Sequence, residues 1–270
     1  MMTRHPTLTA IASGKGGTGK TFIAVTLAHA LSYEGERVLL FDGDLGLSNV
    51  AVQLGLTVET PFAAVLAGEI PPHDAAIPFA GGAQRRGGFD ILAGPPGSGM
   101  FVHTSRGDTA RLLAGLKLTS GYDRVILDLG AGVGDDVMRF SGAADQTILV
   151  VTPDPAALTD AYAFVKLHAQ RHRPTTPAFP APAFLVNQAS TAEARAVAQA
   201  LTGSCRSFLN IAVHSLGTVR RDPKVVDAVR HQQPLPSLHK ECGAAHDIVA
   251  LAGRLSQAHR SRLQDKVALR

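Results

Sequence analysis

Nine residues, Ser13–Thr21 with the sequence SGKGGTGKT, restrict the folds open to this chain more than any other stretch. From Gly14 to Thr21 they fit the pattern G-x-x-x-x-G-K-[ST]. Such a loop holds a phosphate chain with main-chain N–H groups. Gly14, Gly16, Gly17 and Gly19, with Thr18 among them, supply a backbone able to curl around the anion. Lys20 reaches the outer phosphate oxygens, and the Thr21 hydroxyl serves a Mg²⁺ ion. The loop works between a strand and a helix, because the helix N-terminus adds its own attraction for the anion. A strand–loop–helix unit must therefore lie at the start of the chain. The loop also carries a second lysine, Lys15, at a position that the phosphate-binding pattern leaves unconstrained.

The flanking residues agree. Leu8–Ser13 (LTAIAS) reads as a strand, and KTFIAVTLAHALSYEG behind the loop has apolar residues at helical spacing, with Gly35 as a C-terminal stop. Further strands are expected at Arg37–Phe41, Phe89–Leu92, Arg124–Asp128, Gln146–Val151, Ala183–Asn187 and Ser215–Val219, with helical segments between most of them. Continuous apolar runs such as RVLLF suit strands buried on both faces. The alternation predicts an α/β fold in three layers, a doubly wound, mostly parallel sheet with right-handed crossovers. Residues 80–88 and 173–182 read as a flexible loop and an extended surface loop, and neither divides the chain. One domain over 1–255 is expected, followed by a basic tail over 256–270.

Composition narrows the setting. Hydrophobic residues make up 45% of the chain and charged residues 18%, as in an ordinary globular protein. No apolar run reaches the ~18–20 residues of a membrane span, and MMTRHPTLTA lacks the apolar core of a secretory signal. Cys205 and Cys242 stand far apart, outside any C-x-x-C pair, which predicts reduced thiols in a cytoplasmic protein. The net charge is +4, and Arg254–Arg270 holds four arginines and one lysine against one aspartate. That tail can attract an acidic membrane surface, nucleic acid or an acidic partner, or be a solvated helix end. A helix from His246 would place Ile248, Leu251 and Leu255 on one face, which His259, Arg262 and Lys266 then break, leaving a weak membrane-binding helix.

Three carboxylates complete a nucleotide site. Asp128 ends the strand RVILD, where it can support metal-bound waters, and is followed by LGAG, expected as a flexible loop able to sense a γ-phosphate. Asp42 and Asp44 end the strand before them, at the carboxyl edge where such sheets bind ligands. One can serve the metal shell while the other positions water. A guanine site commonly uses N-K-x-D; here Asn187 is followed three residues later by Ser190, so the reading favours ATP over GTP. His168 and His172, spaced i, i+4, and the segment HKECGAAH contain metal-ligand residue types without a complete ligand set. No Ser-His-Asp order or H-E-x-x-H motif is present.

These motifs resemble one family. KGGTGKT, with its early lysine, is similar to the deviant Walker A loop of the MinD/ParA ATPases, in the SIMIBI class of P-loop NTPases. Leu39–Leu56 (LLFDGDLGLSNVAVQLGL) resembles that family's switch I, and Ile126–Asp145 its switch II. Val150–Leu167 (VVTPDPAALTDAYAFVKL) is most similar to the FlhG/FleN branch, the flagellar number regulators, and Leu216–Leu235 resembles the late adenine-side segment. The similarity covers about residues 8–255. It implies a MinD-like domain that forms a face-to-face homodimer with ATP, hydrolyses ATP slowly with Mg²⁺, and controls flagellar number or placement. By the same resemblance, Lys15 crosses to the partner's phosphates, while Lys20 and Thr21 serve the nucleotide of their own subunit. Asp44 orients the attacking water, Asp42 and Asp128 support Mg²⁺, and Asn187 contacts adenine. A cytoplasmic protein is implied, peripheral to the inner face of the membrane. The D-Q-A-x-x-L-R-like motif through which such regulators stimulate an FlhF-like GTPase is not found in the about seven residues before the first strand. Arg220 stands where relatives commonly have proline. The alternative is a ParA-type partition ATPase that binds DNA non-specifically. A small-molecule kinase or amidating enzyme would need a second polar constellation beside the γ-phosphate, which the sequence does not offer.

Overall fold

The computed structural model describes residues 5–44, 49–95, 105–172 and 181–268, with side chains as far as residue 264. Eight strands form one sheet: β1 (Thr7–Ser13), β2 (Val38–Gly43), β3 (Ile77–Phe79), β4 (Phe89–Leu92), β5 (Arg124–Ala131), β6 (Gln146–Val151), β7 (Ala183–Ala189) and β8 (Ser215–Arg220). Their spatial order is β3-β4-β2-β5-β1-β6-β7-β8. Every neighbouring pair is parallel except β3 with β4. Chain order reverses around β1, so the loop that follows it opens into the crevice where doubly wound sheets bind ligands.

The two-residue period of a strand sorts its side chains into two cores. Ile11, Leu40, Ile126, Ile148 and Leu185 face one side and pack with α1 (Lys20–Tyr33), α8 (Pro223–Arg230), α9 (Leu235–His239) and α10 (Gly243–Ala268). Their neighbours Ala10, Phe41, Leu127, Leu149 and Val186 face the other, against α3 (Phe62–Ala67), α4 (Arg106–Leu118), α5 (Asp135–Ala143), α6 (Pro155–Arg171) and α7 (Thr191–Ser204). α1 is apolar nearly all round, because the sheet covers one side of it and α9 and α10 cover much of the rest. Side-chain caps start the outer helices: Ser105 and Ser190 head capping boxes on α4 and α7, and Asp154 caps α6 with Pro155 at its first position.

Four features differ from the sequence reading. β3 is a three-residue edge strand containing a proline, too short for a periodic signal. Residues 80–88, read as flexible, form a turn closed by main-chain bonds such as Gly88 N–H to the Arg85 carbonyl at 2.8 Å. β5 continues to Ala131, so most of LGAG is strand and Asp128 lies inside the strand rather than at its end. Finally, α10 runs unbroken past residue 255. Several of its polar residues find partners: His259 is buried, with Nδ1 3.0 Å from Thr7 Oγ1. Arg254 donates to the Leu216 carbonyl at 2.7 Å, and Arg260 to the Glu34 carbonyl at 3.4 Å. No described helix is long and apolar enough to cross a membrane. Switch I residues 45–48 and loop residues 173–180 lie outside the described residues.

Candidate nucleotide site

The phosphate-binding loop is fixed from behind and open in front. Gly17 and Gly19 have φ of 77° and 88°, the left-handed region that glycine enters without penalty. A Cβ at Gly19 would stand 2.5 Å from the Asn187 amide nitrogen. That nitrogen donates to the Thr18 carbonyl at 2.8 Å, so the end of β7 buttresses the loop. Asn187 itself is buried. Gly14 is pressed against the backbone of Asp160 in α6, whereas Cβ atoms at Gly16 and Gly17 would meet nothing. The Thr18 hydroxyl is buried without a partner. A loop anchored on one side, with uncovered backbone at Gly16 and Gly17 on the other, is prepared for an anionic ligand.

Lys20 lies at the start of α1, largely buried. Burial lowers its pKa, and Asp128 and then Asp44 oppose that shift. Asp128 sits in register with Asp42 on β2 and with Ile11 on β1. Burial raises the Asp128 carboxyl to about 8; Asp42 adds to the rise, while the Thr21 hydroxyl and Lys20 pull it down. Neither Asp128 oxygen makes a hydrogen bond of normal geometry. Asp42 is more committed: one oxygen accepts from the Val50 amide at 2.9 Å, starting α2 (Val50–Gln53), and the other from the Asp44 amide at 3.4 Å. Asn49 in turn donates to Asp44 at 3.4 Å.

An orphaned buried carboxylate beside a hydroxyl and a second carboxylate fits a hard dication with oxygen ligands. Among the described residues there is no cluster of three His, Cys, Asp or Glu side chains able to cage a metal alone. Mg²⁺ would thus depend on phosphate oxygens for part of its shell, as is usual for this ion. His168 and His172 form a core pair instead. Burial holds His168 down to about 4, Phe164 stacks on it, and His172 Nε2 lies 2.9 Å from the Met138 carbonyl.

The second lysine of the loop is held elsewhere. Lys15 Nζ lies 3.0 Å from Asp154 Oδ1, with both side chains part exposed. The Asp154 carboxyl is held down to about 2, first by the Thr152 hydroxyl, then by the Ala157 amide and Lys15. The pair borders a cleft of about 440 Å³ beside the loop, lined also by Gln188, Glu193 and Arg221. Gln188 has a φ of 58°, rare for a residue with a Cβ. Its amide reaches the Gly17 carbonyl at 3.4 Å, and its own carbonyl accepts from Arg221 at 3.2 Å. Asp154, Gln188 and Arg221 were not singled out from sequence. Only Asp154 had a local signal, since an aspartate before Pro155 spells a helix cap, and that signal says nothing about Lys15. Arg220 turns away from the cleft and grips Asp247 of α10 through its Nε at 2.8 Å and Nη2 at 2.7 Å.

The sheet order, the loop with its two differently placed lysines, and the carboxylates paired across β2 and β5 define a nucleotide-binding P-loop ATPase of the MinD/ParA type. Residues 9–235 match the CobQ/CobB/MinD/ParA nucleotide binding domain, and the chain belongs to that family. It is 36% identical to the antiactivator FleN of Pseudomonas aeruginosa over 236 residues, 86% of this chain and 80% of that one. It is 32% identical to the flagellum site-determining protein YlxH of Helicobacter pylori over 162 residues, 60% of this chain and 53% of that one. Its fold superposes on the septum site-determining protein MinD of Pyrococcus horikoshii, solved with Mg-ADP, with a TM-score of 0.74 at 23% identity, over 93% of this chain and 96% of that one.

Proposed function

We propose that this ATPase is an ATP-controlled switch that dimerises with ATP, hydrolyses it slowly, and regulates flagellar number or placement. The observation that carries this reading is the division of labour within one loop. Lys20 is buried against the carboxylates, while Lys15 points away from them to a part-exposed Asp154. Lys20 can serve only the nucleotide of its own subunit. Lys15 is tethered at the rim by a weak surface pair and can be released to a second copy's phosphates. A cation that arrives at the phosphates only on assembly couples dimerisation to the state of the nucleotide.

In this reading the main-chain N–H groups from Gly14 to Gly19 and the Lys20 ammonium bind and orient the phosphate chain of ATP. Thr21, Asp42 and Asp128 would hold Mg²⁺, which would supply positive charge to offset that of the phosphates. Asp44 aligns the attacking water and draws on its proton. Asn187, at the back of the loop, is in this reading the residue that contacts adenine. Asp42 also accepts from the Val50 amide, so a shift of this carboxylate would be felt at the start of α2.

The flagellar role rests on the likeness to FleN and YlxH. Partition-type DNA binding is a weaker reading, because Arg254 and Arg260 already donate to carbonyls of their own domain. A cytoplasmic location, with weak association of the end of α10 with the inner membrane face and action alongside an FlhF-like GTPase, belongs to the same proposal. Gel filtration of Asp44→Ala with ATP and Mg²⁺ should give a dimer that reverts to monomer when Lys15 is also replaced. A monomer in both variants overturns the switch. Deletion should change the number of flagella; plasmid or chromosome loss without a flagellar defect would favour the partition reading.

A further inference from the structure

Releasing Lys15 leaves a problem that the cleft itself can solve. Asp154 is the cap of α6, and Lys15 is the cation it is paired with in the single chain. When Lys15 leaves, this carboxylate loses that cation at the face where a second copy arrives. Arg221, which lines the same cleft, is the complementary group. Its guanidinium is held by the Gln188 carbonyl, and among the described residues no carboxylate lies within ion-pair distance of it. Glu193, the acid nearest in effect, is occupied by its capping box on α7. A twofold dimer is self-complementary, so whatever meets Asp154 must come from the same patch of the other copy.

We infer that Arg221 is a trans-acting residue: on dimerisation, Arg221 of one copy takes the place of Lys15 on Asp154 of the other. Dimerisation then exchanges one intrachain pair per subunit for two contacts across the interface, Lys15 to phosphate and Arg221 to Asp154. Gln188, in its unusual backbone conformation, is a positioning residue that links Arg221 to Gly17 of the phosphate-binding loop. This inference rests on the Lys15 exchange proposed above.

The test is charge reversal with mixing, read by sedimentation with ATP and Mg²⁺ in the Asp44→Ala background. Asp154→Arg alone and Arg221→Asp alone should each weaken the dimer about tenfold or more, because two like-charge contacts replace two pairs. An equimolar mixture of the two variants should recover dimer, as a heterodimer in which both contacts are again opposite in charge. Thermal melts and ADP affinity of each variant establish that the monomers are folded and loaded. If Asp154→Arg fails to fold, Arg221→Asp mixed with Asp154→Lys is the substitute pair. Recovery in the mixture supports trans pairing; no recovery from two folded variants overturns it. If the parent Asp44→Ala protein does not dimerise with ATP, it is the switch reading that fails, and with it this inference.

Discussion

Two ion pairs sit at opposite ends of the same sheet and have opposite characters. At the carboxyl end, Lys15 and Asp154 meet at 3.0 Å with 37% and 43% of their side-chain surfaces exposed. Towards the amino end, Arg124 and Glu36 meet at 2.7 Å with 2% and 6% exposed. Arg124 is fully engaged: it donates twice to Glu36, to Thr9 at 2.9 Å, and to the Leu255 carbonyl at 3.5 Å, joining β5, β1 and α10. The buried pair cannot open without stranding a charge. The exposed pair can, because water stabilises both ends once they part. A switch needs the second kind where it moves and tolerates the first kind only where it must not.

The largest expected effect tests the buried pair. Arg124→Ala should cost about 3–5 kcal/mol in urea unfolding, since Glu36 is left buried and uncompensated. A loss below about 1 kcal/mol would break the comparison. Replacing both partners with leucine should be far milder than Arg124→Ala, as burying two apolar groups restores packing without a stranded charge.

Lys15→Ala should change stability by no more than ~1 kcal/mol, the usual range for an exposed pair, while abolishing ATP-dependent dimerisation in gel filtration. A large loss of stability would mean that Lys15 is structural, and the contrast would collapse. Raising the salt to about 1 M should shrink the stability difference between wild type and Lys15→Ala, and leave that between wild type and Arg124→Ala nearly unchanged.

The smallest effect is on acid stability. Asp154→Asn keeps a good helix cap and removes only the charge. The folded carboxyl sits near 2, below its usual value of 3.8. Its depressed pKa therefore contributes stability that is present above about pH 4 and lost as pH falls towards 2. Wild type and Asp154→Asn should differ by at most ~1 kcal/mol at neutral pH and converge across that window in acid unfolding titrations.

Much of this site was legible in the chain. The loop pattern, the strand before it and the helix after it are local, so Gly14–Thr21 lie where the spacing requires. Asp42 and Asp44 could be found as carboxylates ending an apolar strand, because strand period and strand end are both local properties, whereas Asp128, read as the end of RVILD, lies inside β5. β3 and the packed continuation of α10 were not legible. A three-residue edge strand has no period, and the polar residues after Leu255 are kept by distant groups such as Thr7 and the Glu34 carbonyl.

The sequence by itself determined the layered α/β architecture and its phosphate-binding loop, since apolar periodicity and glycine chemistry need no partner to be read. The tertiary structure alone decided what the second lysine touches. Lys15 and Asp154 are 139 residues apart, as are their loops along the chain, and Arg221 comes from a third strand end. Only the parallel stacking of β1, β6, β7 and β8 brings those ends to one cleft, where a charge held by a neighbour can be exchanged for one from another molecule.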